Sequence, residues 1–494
     1  MPLPQTASGH FLLKVLIRFA ALLLLLEGAP DARAQHAENL SQVKKIYVAS
    51  FGQDDLANKL RERIVKQLRK NGRLEVAMAP EEADAVIKGN ESVWVTGYYS
   101  TSPRSPSFAR QPIIHGFLSV EVLGKDNETL WSYLVTPSKF RSGSMTNDLA
   151  DQLVTKLVGA LEREREKVPA FSATERSVEI NLNGAGATFP APLYLKWLES
   201  FQQRYPKAHI TYSPVGSEAG LQLLADGKVD FAASDMPLSN ERLSESKTSL
   251  LHFATVIGAV VPIYNLKGGD QNLNFTPDTL AGIFLGKIKN WNDPRIRESN
   301  GKRALPNSDI VTIHRSDGSG TTFVWTDYLS KVSPDWKTGV GAGTVVKWPV
   351  GMGGQGNEAI ATMVQQTPNS IGYVELVYAL RHQLTVGAVR NAAGEFVQAD
   401  LQSVTAAAKG AAAAMTPDFR VSITNAPEKY AYPIATFTWW LLPGDLGGTE
   451  KKPVLLDLLQ WMLTSGQKQC SGLGYAPLPR EIANRELQFL TTLK

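Results

Sequence analysis

Cysteine is almost absent from this chain of 494 residues, since Cys470 is the only one. No disulfide can therefore form within the chain, a thiolate metal cage is excluded, and no cysteine near the amino end could carry a lipid. Excess charge is lacking as well: the net charge is +4, and no long basic run with interleaved aromatic residues occurs. The composition therefore argues against a nucleic-acid-binding protein.

One apolar run stands out near the amino end. Lys14 and Arg18 precede the run FAALLLLL at 19–26, and Ala32-Arg33-Ala34 then gives the small-x-small pattern of a secretory cleavage site. The run is too short to span a bilayer comfortably. We predict a cleavable signal peptide over residues 1–34 and a periplasmic protein without a lipid anchor. A retained membrane anchor is the alternative.

The length suits about three domains, and 43% hydrophobic residues suits globular cores. Residues 40–168 are predicted to form a small α+β domain. A strand at 45–51 precedes an amphipathic helix that ends at Asn71-Gly72, and a final helix covers about 146–167. Strand-like runs at 74–78, 85–95, 113–123 and 130–135 lie between these helices, with a Ser/Pro/Arg-rich loop at 100–112.

The charged run at 162–167 is typical of a solvated helix end or linker, and we place the domain boundary near Ala170. The stretch ADAVIKG at 83–89 gives the first domain a loose resemblance to small α+β domains of envelope-assembly proteins. This domain has no cluster of acids, histidines or glycines arranged for chemistry. Docking to an envelope partner and a passive spacer role both remain open.

The segment TIHRSDGSGTT at 312–322 carries the densest set of groups that could bind an oxyanion. Arginine offers a planar fork of donors that matches a tetrahedral oxyanion. Gly318 and Gly320 would let backbone N–H groups approach a ligand, and a helix beginning at Ser319 would add its free N–H groups. The alternative is a strand-to-helix turn in which Asp317 or Ser319 only caps the helix.

Other glycine-rich or acidic turns supply matching groups. The segment NGAGATFPAP at 183–192 follows a strand-like run at 178–182, and GSEAG at 216–220 follows another at 209–212. The segment DFAASDMPLS at 230–239 places a further carboxylate after a short apolar run. Each of these signals is weak alone, because glycine turns are usually only turns.

Together these segments resemble the periplasmic phosphate-binding protein of the bacterial ABC-type phosphate importer, the PstS family. The matching stretches are GAGATFPAP, VDFAASDMPLS, RSDGSGTTFVW, TVVKWPVGMGGQGN and SIGYVE. The resemblance implies inorganic phosphate as ligand, an inner-membrane phosphate ABC permease as partner, and no catalytic residue, metal or cofactor. It implies phosphate contacts from Thr188, Phe189 (through its backbone), Ser217, Asp235, Arg315, Asp317, Ser319, Gly320 and Thr321.

The resemblance further implies an α/β, two-lobed, hinged binding protein of the Venus-flytrap type over residues 171–494. Lobe one would combine 178–258 with 430–494, and lobe two would hold 259–429. Hinge closure would bring Arg315 and Asp317 against the groups of lobe one. By the same resemblance Asp235 accepts the proton of phosphate and Asp317 orients Arg315, with turn capping by both as the alternative.

Glu218 departs from the serine or glycine common in this family at its position. A carboxylate there adds negative charge near a site for an anion. We therefore expect Glu218 to weaken binding unless its side chain points to solvent.

Other interpretations remain for two of the motifs. The loop GMGGQG at 351–356 matches a dinucleotide fingerprint, with Glu375 downstream, although the resembling family carries the same loop without a nucleotide. Ser319 could act as the nucleophile of a phosphatase-like hydrolase, but the glycine expected two residues earlier is missing. A non-transport envelope or sensory protein that kept the fold is a further alternative. We predict a binding protein and not an enzyme.

Overall fold

The computed structural model describes residues 37, 39–100, 110–137, 142–163, 179–246, 249–266, 272–301, 303–447 and 449–493. The predicted signal peptide and the boundary near Ala170 lie outside these ranges. Within them, none of the helices combines the length and the apolar character needed to cross a lipid bilayer.

The amino-terminal unit is a sheet covered by two helices. Its elements are β1 (Lys45–Val48), α1 (Asp55–Asn71), β2 (Glu75–Val76), β3 (Ala85–Ser100), β4 (Arg110–Leu123), β5 (Thr129–Val135) and α2 (Ser142–Arg163). The strand order is β2-β1-β3-β4-β5, in which β2 and β3 run parallel to β1 and the later pairs are antiparallel. The predicted helix stop is confirmed, because Gly72 is left-handed and its N–H donates to the Leu68 carbonyl over 3.1 Å.

The prediction of a loop over the whole of 100–112 was wrong at both ends. Ser100 pairs with Arg110, and Pro112 pairs with Tyr98, so β3 and β4 continue into that stretch. Residues 101–109, the centre of the predicted loop, lie outside the described residues. The pairing of two long strands outweighs the local turn-like composition.

The rest of the chain begins with strands and helices in alternation. These are β6 (Ile180–Gly186), α3 (Ala191–Arg204), β7 (Ala208–Ser213), α4 (Ser217–Ala225), β8 (Phe231–Ser234), α5 (Asn240–Glu245) and β9 (Leu250–Asn265). The middle contains β10 (Asn274–Phe275), α6 (Pro277–Phe284), α7 (Pro294–Asn300), β11 (Val311–Arg315), α8 (Gly320–Val332), α9 (Pro334–Gly339), β12 (Met352–Gly354), α10 (Gly356–Gln366), β13 (Ser370–Glu375), α11 (Leu376–Arg381), β14 (Thr385–Val386), β15 (Ala388–Arg390), β16 (Phe396–Val397), α12 (Leu401–Ala407) and α13 (Ala411–Ala414). The carboxyl end adds β17 (Ala435–Pro443), α14 (Lys451–Leu463), α15 (Gln467–Cys470) and α16 (Arg480–Thr491).

One large sheet passes through this whole region in the order β12-β11-β13-β9-β17-β8-β6-β7, with β14 also paired to β9. β9 is buried along nearly all its length, as its almost continuous apolar sequence leads one to expect for a central strand. Its first part pairs with β17 up to Ala259, and from Val260 onward it pairs with β13. The exchange of partners lies next to the predicted boundary between the lobes at residue 258, and we propose it as the hinge.

The amino-terminal sheet contacts the carboxyl-terminal segment directly. The Ser132 hydroxyl donates to the Lys468 carbonyl over 2.5 Å and accepts the Gly472 N–H over 2.8 Å. The Ser119 hydroxyl donates to the Gly472 carbonyl over 2.5 Å. A Cβ added at Gly472 would lie 2.8 Å from the Cβ of Ser132, so this close approach depends on glycine.

Candidate functional site

The candidate residues lie where parallel strands end and helices begin. Thr188 follows β6, Ser217 opens α4 after β7, and Asp235 follows β8. The segment 315–321 connects β11, which is parallel to β12 and β13, to α8. The carboxyl ends of parallel strands in open α/β sheets commonly form ligand crevices. The sheet thus brings side chains from distant segments to one edge.

Arg315 and Asp317 form a buried pair at the centre of the site. The Arg315 Nε donates to Asp317 Oδ1 over 2.7 Å, and its Nη2 donates to Asp317 Oδ2. The side chain of Arg315 is only 1% exposed and that of Asp317 14%. Burial alone would raise the pKa of Asp317, but the hydrogen bonds and charge of Arg315 outweigh it and lower that pKa. The N–H of Gly356 acts in the same direction. Asp317 therefore holds Arg315 in a fixed orientation.

Asn357 ties the two sides of the site together. Its Nδ2 donates to the hydroxyls of Thr188 over 2.8 Å and Thr321 over 3.2 Å. Its Oδ1 accepts the N–H of Glu375 over 3.0 Å. Thr321 also accepts a bond from the Arg315 Nη1 over 3.3 Å, which links this group to the arginine. Asn357 was not predicted as a site residue, although it directly follows the glycine loop at 351–356.

The glycine loop at 351–356 contacts the site directly, and these contacts explain its glycines without a bound dinucleotide. Gly356 has a left-handed φ of 76°, which glycine tolerates, and its N–H donates to Asp317 Oδ1 over 3.2 Å. The loop thus fixes Asp317 and begins α10, the helix that carries Asn357. The match of this loop to a dinucleotide fingerprint therefore no longer favours a dinucleotide-binding site.

Ser217, Gly320 and Asp235 meet across the site. The Ser217 hydroxyl accepts the N–H of Gly320 over 3.1 Å and that of Asp235 over 3.4 Å. A Cβ added at Gly320 would lie 2.4 Å from the Ser217 Oγ and 2.6 Å from the Asp235 Oδ2. Only glycine permits this approach, which closes one wall of the site.

Asp235 is the group with an unused buried acceptor. The residue is 1% exposed, and its Oδ1 accepts the Thr438 hydroxyl over 2.7 Å. Its Oδ2 has no partner in the structure. Burial raises the pKa of Asp235 to about 7, against the opposing effects of the Thr438 hydrogen bond and the Arg315 charge. Such a carboxyl group is suited to share a proton with a ligand.

The capping alternative holds for Ser319 but not for Asp317. The Ser319 side chain accepts the N–H of Thr322 over 3.1 Å at the start of α8, and its hydroxyl proton remains available as a donor. The carbonyl of Phe189 accepts the Tyr475 hydroxyl over 2.7 Å, which fixes the turn after β6. The structure therefore places the predicted residues in one network together with Asn357.

Glu218 does not point freely into solvent, yet it is neutralised. Its carboxylate accepts bonds from both Arg242 Nη atoms, over 2.7 and 2.8 Å, and from the Thr344 hydroxyl over 2.6 Å. We expected either an exposed Glu218 side chain or weakened binding, and no sequence pattern indicated Arg242 as its counter-ion. Burial would raise the pKa of Glu218, but these hydrogen bonds and the Arg242 charge lower it.

The described residues contain no group of three or more His, Cys, Asp or Glu side chains that could hold a metal ion.

Comparison with known proteins gives a consistent set of relatives. A family model described as a PBP superfamily domain matches residues 171–465. The phosphate-binding protein PstS of Xylella fastidiosa is 41% identical over 314 residues, covering 63% of this chain and 85% of that protein. The phosphate-binding protein PstS of Haemophilus influenzae is 41% identical over 318 residues, covering 64% of this chain and 94% of that protein.

The solved structures add support for the fold. A high-affinity periplasmic phosphate-binding protein solved with phosphate bound superimposes with a TM-score of 0.50 at 19% identity. It covers 63% of this chain and 93% of its own. A structure described as a DING protein superimposes with the same TM-score of 0.50 at 18% identity, covering 61% of this chain and 92% of its own. At such identities the likeness shows the fold alone, and that fold is the predicted α/β binding-protein architecture.

Proposed function

This chain belongs to the PstS family of phosphate-binding proteins, and from that premise we propose that the network around Arg315 binds inorganic phosphate for ABC-type transport. One observation supports the proposal most: a buried arginine, held by Asp317, faces the same small site as the unpartnered buried oxygen of Asp235. The role is binding and not catalysis.

The chemistry of phosphate fits these groups. Arg315 and the hydroxyls of Thr188, Ser319 and Thr321 are donors for phosphate oxygens, and charge-assisted bonds of this kind are strong. Asp235 supplies an acceptor for the proton that phosphate still carries at neutral pH. The complete proposed site is Thr188, Phe189 through its backbone, Ser217, Asp235, Arg315, Asp317, Ser319, Gly320 and Thr321.

Calorimetry of the mature chain with phosphate, arsenate and sulfate tests this assignment. We expect phosphate and arsenate to bind at one site, because both are protonated tetrahedral oxyanions at neutral pH. Sulfate should not compete, since it has no proton for Asp235. Tight sulfate binding, or no phosphate binding at all, would contradict the proposal.

We propose that the protein works in the periplasm after removal of residues 1–34, and that an inner-membrane ABC permease accepts its phosphate. The lobes would close about the hinge in β9, and the permease would recognise the closed form. This division assigns 178–258 and 430–494 to lobe one and 259–429 to lobe two.

Asn357→Ala should weaken phosphate binding by about 10- to 100-fold. The substitution removes bonds to the hydroxyls of Thr188 and Thr321 and leaves the buried Glu375 N–H without its acceptor. We expect phosphate binding to lose the equivalent of one such bond, about 1–3 kcal/mol, with the remaining cost falling on stability. The matched control is Gln365→Ala on the same helix, because Gln365 is exposed and its side chain donates to the His382 carbonyl, away from the site. Equal dissociation constants for both variants would show that Asn357 does not contribute to the phosphate site.

Residues 171–494 expressed alone should bind phosphate with the same dissociation constant as the mature chain. Every proposed contact lies in this part, and the amino-terminal unit, proposed as a domain over 40–168, has its own buried core. The truncation uncovers the surface around Gly472, so a lower melting temperature is expected. A soluble truncated protein that fails to bind would show that the amino-terminal domain supports the cleft through Tyr475.

A further inference from the structure

Glu218 connects the two proposed lobes at the edge of the site. Its carboxylate is held by Arg242 of α5, on its own lobe, through both Nη atoms. The same carboxylate accepts the hydroxyl of Thr344 over 2.6 Å, and Thr344 belongs to the opposite lobe. The side chain of Glu218 is 28% exposed, so this contact lies at the rim of the cleft and not at its centre.

The partner of Glu218 is itself fixed to the anion-binding segment. The carbonyl of Thr344 accepts the N–H of Ser319 over 3.0 Å. The backbone makes a second crossing, because the N–H of Glu218 donates to the carbonyl of Gly318 over 3.1 Å. A Cβ at Gly318 would lie 2.5 Å from the Cβ of Glu218, so the two segments that carry these residues are in direct contact here. Movement of Glu218 away from Thr344 therefore separates the lobes beside Ser319.

We propose that Glu218, Arg242 and Thr344 form a latch that holds the cleft closed over its anion and slows release. This inference rests on the proposed function. Glu218 acts as a positioning residue, since its role is exerted through Thr344 and the segment 318–319. Arg242 stays with Glu218 when the cleft opens, because both lie on lobe one, whereas the bond to Thr344 exists only in the closed cleft.

The charge arrangement makes the latch compatible with an anionic ligand. A bare carboxylate at this rim would repel the entering anion, and Arg242 cancels that charge before the anion arrives. The side chain of Arg242 is 40% exposed, so solvent screens the ion pair and its geometry matters more than its Coulomb energy. Loss of the closed-state bond should therefore appear in the dissociation rate, while association should change little.

Stopped-flow kinetics of phosphate binding test the latch in the full mature chain. Thr344→Val and Glu218→Ala should each raise the dissociation rate by about tenfold, the effect of one hydrogen bond to a charged group. The association rate of Thr344→Val should stay near the wild-type value, whereas that of Glu218→Ala should rise at low salt because Glu218 no longer cancels the Arg242 charge. The double variant should release phosphate no faster than either single variant, because both substitutions remove the same bond. Thr338→Val and Glu241→Ala are the controls, since both residues are exposed on the corresponding lobes.

Arg242→Ala distinguishes the effect of the Glu218 charge on phosphate association from the effect of the latch on phosphate dissociation. Association should slow, more strongly at low salt, because the Glu218 charge is no longer cancelled; adding Glu218→Ala should restore the association rate. Unchanged dissociation in both Thr344→Val and Glu218→Ala, with normal wild-type binding, would overturn the latch alone. Absence of phosphate binding by the wild-type chain would overturn the proposed function, and the latch with it.

Discussion

Arg315→Ala is expected to lower phosphate affinity by more than about 100-fold. The substitution removes a desolvated donor and also leaves the buried Asp317 carboxylate unpaired beside an anion. Breaking such a buried pair costs about 3–5 kcal/mol, and each 1.4 kcal/mol is about tenfold in affinity. Calorimetry or competition with labelled phosphate gives the two dissociation constants.

Lys287→Ala is the matched control for this experiment. Lys287 pairs with Asp335 over 2.6 Å, but both side chains are more than half exposed, at 54% and 69%. Surface pairs of this kind contribute little, so phosphate binding should be unaffected. Arg315→Lys adds a sharper comparison, because it keeps a charge and loses the planar fork that contacts Asp317 twice. Equal and small losses for Arg315→Ala and Lys287→Ala would show that the site has been misplaced.

The second large effect is expected for Asp235→Asn, which should narrow the difference between phosphate and sulfate affinity by at least about tenfold. A carboxylate at this buried position accepts the phosphate proton and repels an unprotonated dianion. An amide can instead donate to an unprotonated oxygen, so sulfate becomes acceptable. Competition titrations of both anions measure the change. If sulfate stayed excluded and phosphate affinity were intact, Asp235 would not be the discriminating group.

Asp235→Asn should also make the ligand-free protein more stable at alkaline pH. The pKa of Asp235 is raised to about 7 in the folded protein, above its ordinary value. The folded state therefore binds a proton that the unfolded state has released, and this stabilisation is lost as pH rises from about 4 to about 7. Ligand-free Asp235→Asn avoids that loss, so it should melt at a higher temperature than the wild type at pH 8 but not at pH 4. The reverse order would contradict the raised pKa.

The local chemistry of the site could be predicted from sequence because single segments carry it. Arg315, Asp317 and Ser319 lie within a few residues of one another, between a strand and a helix that the sequence pattern indicates. The turn before Thr188 could also be predicted from the sequence, but it begins later than predicted, because β6 extends through the glycines to Gly186. The local sequence of these glycines is typical of a turn. They lie in a strand because they pair with β7 and β8, and this pairing cannot be read from the segment itself.

The long-range partners could not be predicted. Asn357 reaches Thr188 only because β12 pairs with β11 and so places α10 over the site. Arg242 and Thr344 converge on Glu218 from segments that have no pattern linking them. The charge of Glu218 was visible in the sequence, but its neutralisation depends on folding. The division into lobes remains a proposal.

The position of β17 determines when this site can form. It lies between β8 and β9, and Thr438 on it donates to Asp235 across 203 positions of sequence. Contacts between segments so far apart form slowly, because the intervening chain must first be closed into a loop. The proposed lobe one therefore cannot be completed until β17 is available. A chain that stops before Ala435 lacks both the strand that joins β8 to β9 and the hydroxyl that holds Asp235. We therefore expect phosphate affinity to be acquired late in folding.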